Sequence, residues 1–236
     1  MGRAFEYRKA AKMKRWGNMS RIFPKLAKAV QMAAKEGGPD PDMNAALRVA
    51  IQNAKAQNMP KTNIEAAIKR ATGKDAEDFQ EVLYEGKGPH GVLIVVECAT
   101  DNTTRTVANV KSYFNKTGGA LVPTGSLDYM FNRKAVFEFN KPEGFDPDDF
   151  ELEMIDFGLQ RLEVDEDTVY AYGEYTEFGN LATAFEKMGI EVEKSDLQRL
   201  PTSPVDFTDE QMEDIEKLID KLEDDDDVQA VFNNLG

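Results

Sequence analysis

The chain has 236 residues, 41% of them hydrophobic, which is enough for one large domain or two to three small ones. No apolar run reaches the ~20 residues of a membrane span, and the charged N-terminus lacks the apolar segment of a secretory signal. One cysteine excludes an internal disulfide, and one cysteine with one histidine offers little to a soft metal ion. We therefore expect a cytoplasmic protein without a membrane partner or a metal site.

The net charge of -14 hides a strong asymmetry along the chain. Residues 1–74 contain 16 Lys and Arg against 5 Asp and Glu, whereas residues 135–236 contain 7 against 30. A basic end on an acidic body is typical of a protein that binds a polyanion, and the alternative is that the two ends attract each other. Because nucleic-acid binding needs clustered cations, we favour a functional basic surface.

The first 19 residues mix basic and aromatic side chains with little periodicity. Lys and Arg can contact phosphates and the aromatic rings can stack on exposed bases, so this segment predicts an arm that orders on a nucleic acid. An arm whose aromatic residues pack on the protein body is an equal alternative. The basic residues of the arm are Arg3, Arg8, Lys9, Lys12, Lys14 and Arg15.

Three short helices are predicted next, each with one apolar face at helical spacing. Ser20 is placed to cap the first helix, which runs to about Glu36, and Gly and Pro break the chain before the second. The third helix follows Asn58-Met-Pro60 and ends at Gly73. Together they predict a small helical bundle, and its first helix carries a separate basic stripe formed by Arg21, Lys25, Lys28 and Lys35.

Two strands, at about 79–85 and 92–99, flank the segment Gly86-Lys-Gly-Pro-His-Gly91. This segment spells G-x-G-x-x-G, but a dinucleotide site requires a helix after the motif, and here another strand follows. We therefore interpret it as a glycine-rich turn. His90 has no Ser or Cys nucleophile close to it in the sequence, so we assign it no catalytic role.

The next helix begins at Thr100-Asp-Asn102 and places Arg105 in its first turn, where the helix dipole disfavours a cation. A phosphate partner, a carboxylate partner and a solvated side chain remain open for Arg105. After this helix, Gly125-Ser126 predicts a turn into a strand over Leu127–Phe131.

Residues 135–200 predict the succession β-α-β-β-α-β of a ferredoxin-like fold. Their carboxylates fall at turns and helix starts, where solvation and capping explain them, and no isolated pair suggests an acid and a base. Thr208-Asp-Glu-Gln211 predicts a capping box at the start of a further helix. The run Asp224–Asp227 lacks the alternating ligands and glycine of a calcium loop, so we expect it to cap a last short helix. We expect this tail to pack on the central stretch.

Motifs dispersed over nearly the whole chain resemble the YebC/PmpR family. They are Phe23-x-Lys-Leu26, Glu36-Gly-Gly-x-Asp40-Pro, Asn58-Met-Pro-Lys-x-Asn-Ile64-Glu, Tyr84-Glu-Gly-x-Gly-Pro-x-Gly91, Thr100-Asp-Asn-x-x-Arg-Thr106, Gly118-Gly119, Gly125-Ser-x-x-Tyr-Met-Phe131 and Leu222-Glu-Asp-Asp-Asp-Asp-Val-Gln-x-Val231. The start Gly2-Arg-Ala-Phe-Glu6 departs from the Gly-His-Ser-Lys-Trp usual in the family, so contacts of the first few residues do not transfer.

The resemblance implies an α+β protein of three domains around a cleft. These are an N-terminal three-helix bundle with its arm (1–78), a central α/β domain completed by the C-terminal tail (79–132 plus 205–236), and an inserted acidic ferredoxin-like domain (133–204). It implies a DNA-binding transcriptional regulator, although some relatives, including mitochondrial ones, resemble translation factors that act at the ribosome. It implies neither an enzymatic activity nor a cofactor.

Our leading hypothesis is therefore a nucleic-acid-binding regulator that contacts phosphates through the basic residues of segment 3–35 and through Arg105. The sequence shows no helix-turn-helix spacing, no zinc knuckle and no RNA-binding aromatic motif, and this suits backbone recognition of either duplex DNA or ribosomal RNA. A ribosome-associated translation factor is the second hypothesis. The third is a protein-interaction module whose acidic part binds a basic partner.

Overall fold

The structure is a computed structural model that describes residues 19–73 and 78–236, with side chains described from residue 22 onward. Within the described residues the chain forms two compact units. The first unit contains residues 19–28, 78–132 and 200–236, and the second contains residues 29–73 and 133–199. Both units combine helices with an antiparallel sheet, which agrees with the predicted α+β class. The division into three domains stays a prediction.

The helices and strands follow each other along the chain in an irregular α+β order. They are α1 (Met19–Gly37), α2 (Ala45–Ala56), α3 (Lys61–Ala71), β1 (Gln80–Lys87), β2 (Leu93–Thr100), α4 (Thr103–Lys116), β3 (Ala120–Val122), β4 (Phe131–Asn140), α5 (Pro147–Met154), β5 (Leu159–Asp165), β6 (Thr168–Glu174), α6 (Phe178–Met188), β7 (Val192–Pro201), α7 (Asp209–Glu223) and β8 (Val228–Asn233). Among the described residues, no helix is long and apolar enough to span a bilayer.

The sheet of the first unit has the strand order β3-β1-β2-β8. Strand β8 pairs antiparallel with β2, so the C-terminal tail packs on the central stretch as expected. One face of the sheet packs against α4 and α7 through a core that includes Val96, Phe114 and Leu218. The other face is covered by the segment after β3, where Leu127 and Phe131 pack on Val95.

Two elements of this unit differ from the sequence-based prediction. The strand expected over Leu127–Phe131 is a short 3-10 helix, Asp128–Met130, followed by the long strand β4. The cause is Glu85, a buried residue of β1 whose carboxylate accepts hydrogen bonds from the backbone N–H groups of Gly125 (2.9 Å) and Leu127 (2.7 Å) and so turns the chain. The last element is not a helix but strand β8, because β2 offers it an open edge for pairing.

The turn between β1 and β2 contains the glycine-rich motif noted in the sequence. Pro89–Gly91 form one 3-10 turn and the chain continues directly into β2, so no helix follows the motif as a dinucleotide site would require. His90 adopts a left-handed backbone conformation with φ of 57°. Its Nε2 atom lies 3.1 Å from a carboxylate oxygen of Asp214 on α7, which ties the turn to that helix.

The second unit confirms the predicted β-α-β-β-α-β succession in β4 to β7. Its sheet has the order β5-β6-β4-β7, and α5 and α6 pack on one face over a phenylalanine-rich core. Helix α2 belongs to the same unit. The side chain of Asn53 exchanges two hydrogen bonds with the backbone of Ser195, and Gln52 donates to the carbonyl of Val192 (3.0 Å). Helix α2 therefore satisfies backbone groups of the edge strand β7.

The helices of residues 19–73 begin and end largely where the sequence indicates. Helix α1 already includes Met19, so Ser20 lies inside the helix and is not its cap. Asn44 caps α2: its side-chain oxygen accepts from the amide of Leu47, and its Nδ2 atom donates to the carbonyls of Ala33 and Gly38. The same side chain therefore joins α2 to the end of α1.

Candidate nucleic-acid interface

The structure describes the side chains of only four of the predicted nucleic-acid-binding residues: Lys25, Lys28, Lys35 and Arg105. Six others lie outside the described residues: Arg3, Arg8, Lys9, Lys12, Lys14 and Arg15. Arg21 lies on α1, but its side chain is not among those described. Lys35 lies in the last turn of α1 and is exposed. The other three described residues all lie beside the four aspartates that follow α7.

These four aspartates, Asp224–Asp227, form the acidic loop that connects α7 to β8. Asp224 ends the helix, with its amide bonded to the carbonyl of Asp220. Asp225 accepts hydrogen bonds from the Nδ2 atom of Asn109 (3.1 Å) and the hydroxyl of Tyr113 (2.9 Å), both on α4. Burial and the bond to Asp225 raise the pKa of Tyr113 to about 12. The acidic loop is thus held on α4, and it does not cap a following helix as the sequence suggested.

Asp227 is the centre of the acidic loop and is only 5% exposed. One oxygen, Oδ2, accepts from the hydroxyls of Thr100 (3.1 Å) and Thr106 (2.9 Å) and from the guanidinium of Arg105 (2.7 Å). The other, Oδ1, lies 3.2 Å from Nζ of Lys28. Burial alone would raise the pKa of the Asp227 carboxyl, but the hydrogen bonds from Arg105, Thr106 and Lys28 outweigh it and leave the pKa below its ordinary value.

The side chain of Lys28 is largely buried, with 12% of its surface exposed. Besides Asp227, its ammonium group donates to the backbone carbonyls of Ala99 (2.8 Å) and Asp226 (2.9 Å), so its three donors all have acceptors. The same group lies 4.9 Å from the ring centre of Phe79. Lys28 therefore fastens α1 to the acidic loop and to β2.

Lys25 lies one turn before Lys28 on α1 and also donates to a backbone carbonyl. Its ammonium donates to the carbonyl of Glu223 at the end of α7, at 2.7 Å. Burial lowers the pKa of Lys25, and the carboxylates of Glu223 and Asp225 oppose this shift. A cation at a helix C-terminus interacts favourably with the helix dipole. Lys25 and Lys28 thus hold α1 along the end of α7 and the acidic loop.

Of the three environments that the sequence allowed for Arg105, the structure shows carboxylate partners. Its guanidinium bonds Asp227 (2.7 Å) and Asp101 (2.8 Å), and these hydrogen bonds raise its pKa above the ordinary value. The side chain is 47% exposed, so one side of it faces solvent. Asn102, the N-cap of α4, accepts from the amide of Arg105 and fixes this first turn of the helix.

The structure therefore brings Lys28 and Arg105 together around Asp227, and Lys25 binds the neighbouring carbonyl of Glu223 at the end of α7. Sequence reasoning missed the role of Asp227, Thr100 and Thr106 at this centre. Thr100 and Thr106 belong to the motif at the start of α4, but nothing local in the sequence connects that motif with the Asp run. Among residues 19–73 and 78–236, no three His, Cys, Asp or Glu side chains are grouped so as to hold a metal ion.

The sequence matches two models of one protein family, and together these matches cover nearly the whole chain. The model for the TACO1/YebC protein N-terminal domain matches residues 3–74, and the model for the TACO1/YebC second and third domain matches residues 79–235. The chain belongs to the TACO1/YebC family. The resemblance to the YebC/PmpR family stated from the sequence motifs is thereby confirmed.

Relatives in the family share most of the sequence of this chain. It is 63% identical over 236 residues to a probable transcriptional regulatory protein of Wolinella succinogenes and 61% identical over 235 residues to one of Campylobacter curvus, in each case over 100% of both chains. The crystal structure of a conserved hypothetical protein from Aquifex aeolicus superposes with a TM-score of 0.80 at 35% identity, covering 93% of this chain and 90% of that one. The names of the Wolinella and Campylobacter relatives support a regulator of the YebC family.

Proposed function

We propose that this YebC-family chain is a nucleic-acid-binding regulatory protein that acts as a DNA-binding transcriptional regulator. The observation that carries this proposal is the charge distribution, with 16 basic and 5 acidic residues in segment 1–74 of a chain whose net charge is -14. The shared name of the relatives, probable transcriptional regulatory protein, supports a regulatory role. We assign the chain no catalysed reaction and no cofactor.

The hydrogen bonds of the described basic residues distinguish those that hold the fold together from those that we propose as phosphate ligands. Lys25 and Lys28 donate their hydrogen bonds to the acidic loop and its neighbours, so we assign them to holding α1 in place. Arg105 keeps one exposed side and stays a candidate for a phosphate contact. We propose that the remaining phosphate contacts are made by Arg3, Arg8, Lys9, Lys12, Lys14, Arg15, Arg21 and Lys35.

A ribosome-associated translation factor is the second candidate function. The sequence lacks a zinc knuckle and an RNA-binding aromatic motif, and this favours recognition of the phosphate backbone. Backbone recognition serves folded ribosomal RNA as well as duplex DNA.

A salt titration tests nucleic-acid binding itself. If six or more phosphates are contacted, the affinity for a duplex falls roughly 10³-fold or more between about 50 and 200 mM salt, because each contact releases counterions. An affinity that does not change with salt would rule out both candidate functions and leave the protein-interaction module.

Sedimentation of the native protein in a lysate of its own cells separates the two candidates. Co-migration with ribosomal particles at low salt, lost after ribonuclease treatment, would support the translation factor. Protein that remains at the top of the gradient, together with salt-dependent binding to duplex DNA, would support the transcriptional regulator.

A further inference from the structure

Helix α3 presents an exposed face that was not among the predicted nucleic-acid-binding residues. Its buried side is formed by Ile64, Ala67 and Ala71. The opposite side is exposed along all 11 residues of the helix and is polar and basic, with a single carboxylate. The exposed residues are Lys61, Thr62, Asn63, Glu65, Ala66, Lys69 and Arg70.

The angular positions of these residues around the helix axis follow from a rotation of about 100° per residue. Thr62, Ala66 and Lys69 fall in the middle of the exposed face. Lys61 and Arg70 are nine residues apart, which places them on opposite flanks of that face and about 14 Å apart along the axis. The face therefore has a cation on each side and small or long flexible side chains at its centre.

The connection between α2 and α3 is short and well defined. Four residues, Gln57 to Pro60, separate the helices. Asn58 takes a left-handed conformation with φ of 58°, and Met59 is buried below this turn, with its amide bonded to the carbonyl of Ala54. The sequence alone did not indicate helix-turn-helix spacing, but the structure shows two helices joined by a turn of the length found in helix-turn-helix DNA-binding motifs.

The basic side chains of this helix pair are exposed except that of Arg48, and the exposed Arg70 also donates from its Nε atom to the carbonyl of Ala66 at 3.3 Å. Residues 45–73 contain five basic residues and one acidic residue. Arg48 is the exception, since its guanidinium bonds the carbonyls of Pro41 and Asp42. Lys61 lies 3.7 Å from Glu65, but both side chains are well exposed, so this ion pair is weak and yields readily to a phosphate.

We propose that α3 enters the major groove of duplex DNA, with Lys61 and Arg70 contacting phosphates on the two sides of the groove. This rests on the proposed nucleic-acid-binding function and adds a binding surface to it. A major groove about 12 Å wide accommodates an α-helix, and the two backbones that border it match the two cationic flanks. Ala66 at the centre allows a close approach to the base edges. The deep, narrow major groove of A-form RNA does not admit such a helix.

The double variant Lys61→Ala/Arg70→Ala tests the phosphate contacts. Binding to a labelled 20-base-pair duplex is followed by fluorescence anisotropy between about 50 and 200 mM salt. Losing two phosphate contacts lowers the slope of log affinity against log salt by about 2 and the affinity roughly 60-fold at 0.1 M salt. The matched control is Lys111→Ala/Lys116→Ala, which removes two exposed cations from α4 and is expected to bind like the wild type.

The variant Ala66→Glu tests entry into the groove without removing a cation. We expect it to weaken binding to duplex DNA at least tenfold and to leave binding to duplex RNA of the same length unchanged. Equal losses on both duplexes would overturn the placement of α3 in a groove. Circular dichroism checks that the exposed substitutions leave the helices folded.

The outcomes also separate this inference from the proposed function. If the wild type binds duplex DNA with a steep salt dependence but Lys61→Ala/Arg70→Ala behaves like its control, the α3 surface is wrong and the function stands. If the wild type binds no nucleic acid at any salt concentration, the proposed function and this surface both fail.

Discussion

Replacing Asp227 by alanine should destabilise the first unit by removing the acceptor around which α1, β2 and α4 meet. The carboxylate accepts hydrogen bonds from Lys28, Thr100, Arg105 and Thr106. Removing one partner of a buried ion pair costs about 3 to 5 kcal/mol, and we expect about 3 because Arg105 remains half exposed and can be solvated. Lys28 also keeps its two carbonyl acceptors.

Urea unfolding followed by circular dichroism measures this loss, with Asp226→Ala as the matched control. Asp226 lies in the same loop, but its side chain is exposed, so its removal should change the free energy of unfolding by less than about 0.5 kcal/mol. If Asp227→Ala costs no more than Asp226→Ala, the reasoning about a buried anionic centre is refuted.

The pH dependence of the same measurement follows from the lowered pKa of Asp227. A carboxyl whose pKa is lower in the folded than in the unfolded state stabilises the protein above its unfolded pKa of about 4. That contribution is lost as the pH falls through the folded pKa. The difference in unfolding free energy between the wild type and Asp227→Ala should therefore be constant from neutral pH down to about 5 and shrink below about 4. A difference that grows in acid would contradict this account.

Two further substitutions probe the central sheet. Glu85→Gln leaves one acceptor oxygen for the two amides that the buried carboxylate binds, so we expect a loss of about 1 to 3 kcal/mol and faster proteolysis of the segment after β3. Gly86→Ala would place a Cβ atom 2.4 Å from a ring carbon of Phe114, and overpacking of this kind costs about 1 to 3 kcal/mol in denaturant titrations. Gly179→Ala in α6 meets no atom within 4 Å, so this control should be neutral or stabilising by up to about 1 kcal/mol; equal losses in both glycine variants would contradict the packing argument.

Local sequence patterns predicted correctly those helices and strands that are determined by residues close together in the chain. The β-α-β-β-α-β succession was visible from alternating apolar residues and turns, and the capping box of Thr208 and Gln211 forms at the start of α7. The strand predicted over Leu127–Phe131 was wrong because hydrogen bonds to Glu85, a residue about 40 positions earlier, turn the backbone there. Its composition suits a strand, but a tertiary contact overrides that preference.

The candidate site was harder to predict because its contacts are distant along the chain. Asp227 meets Thr100 across 127 residues and Lys28 across 199. A single sequence shows a basic helix and an acidic run, but it does not show that one neutralises the other. The sequence therefore predicts Lys25 and Lys28 as phosphate ligands, and it does not reveal that in the folded chain Lys25 also donates to the end of α7 and Lys28 to the acidic loop.

The pairing of β2 with β8 has a consequence for synthesis on the ribosome. Cys98 of β2 faces Val228 of β8, so 129 residues must be translated after Cys98 before its partner exists. At roughly 5 to 20 residues per second, the edge of β2 stays unpaired for about 6 to 26 s, and the residues of β4 to β7 emerge during this interval. The hydrophobic edge of a nascent strand invites pairing with other chains. Nascent chains of this protein should therefore depend on chaperone protection until β8 has left the exit tunnel.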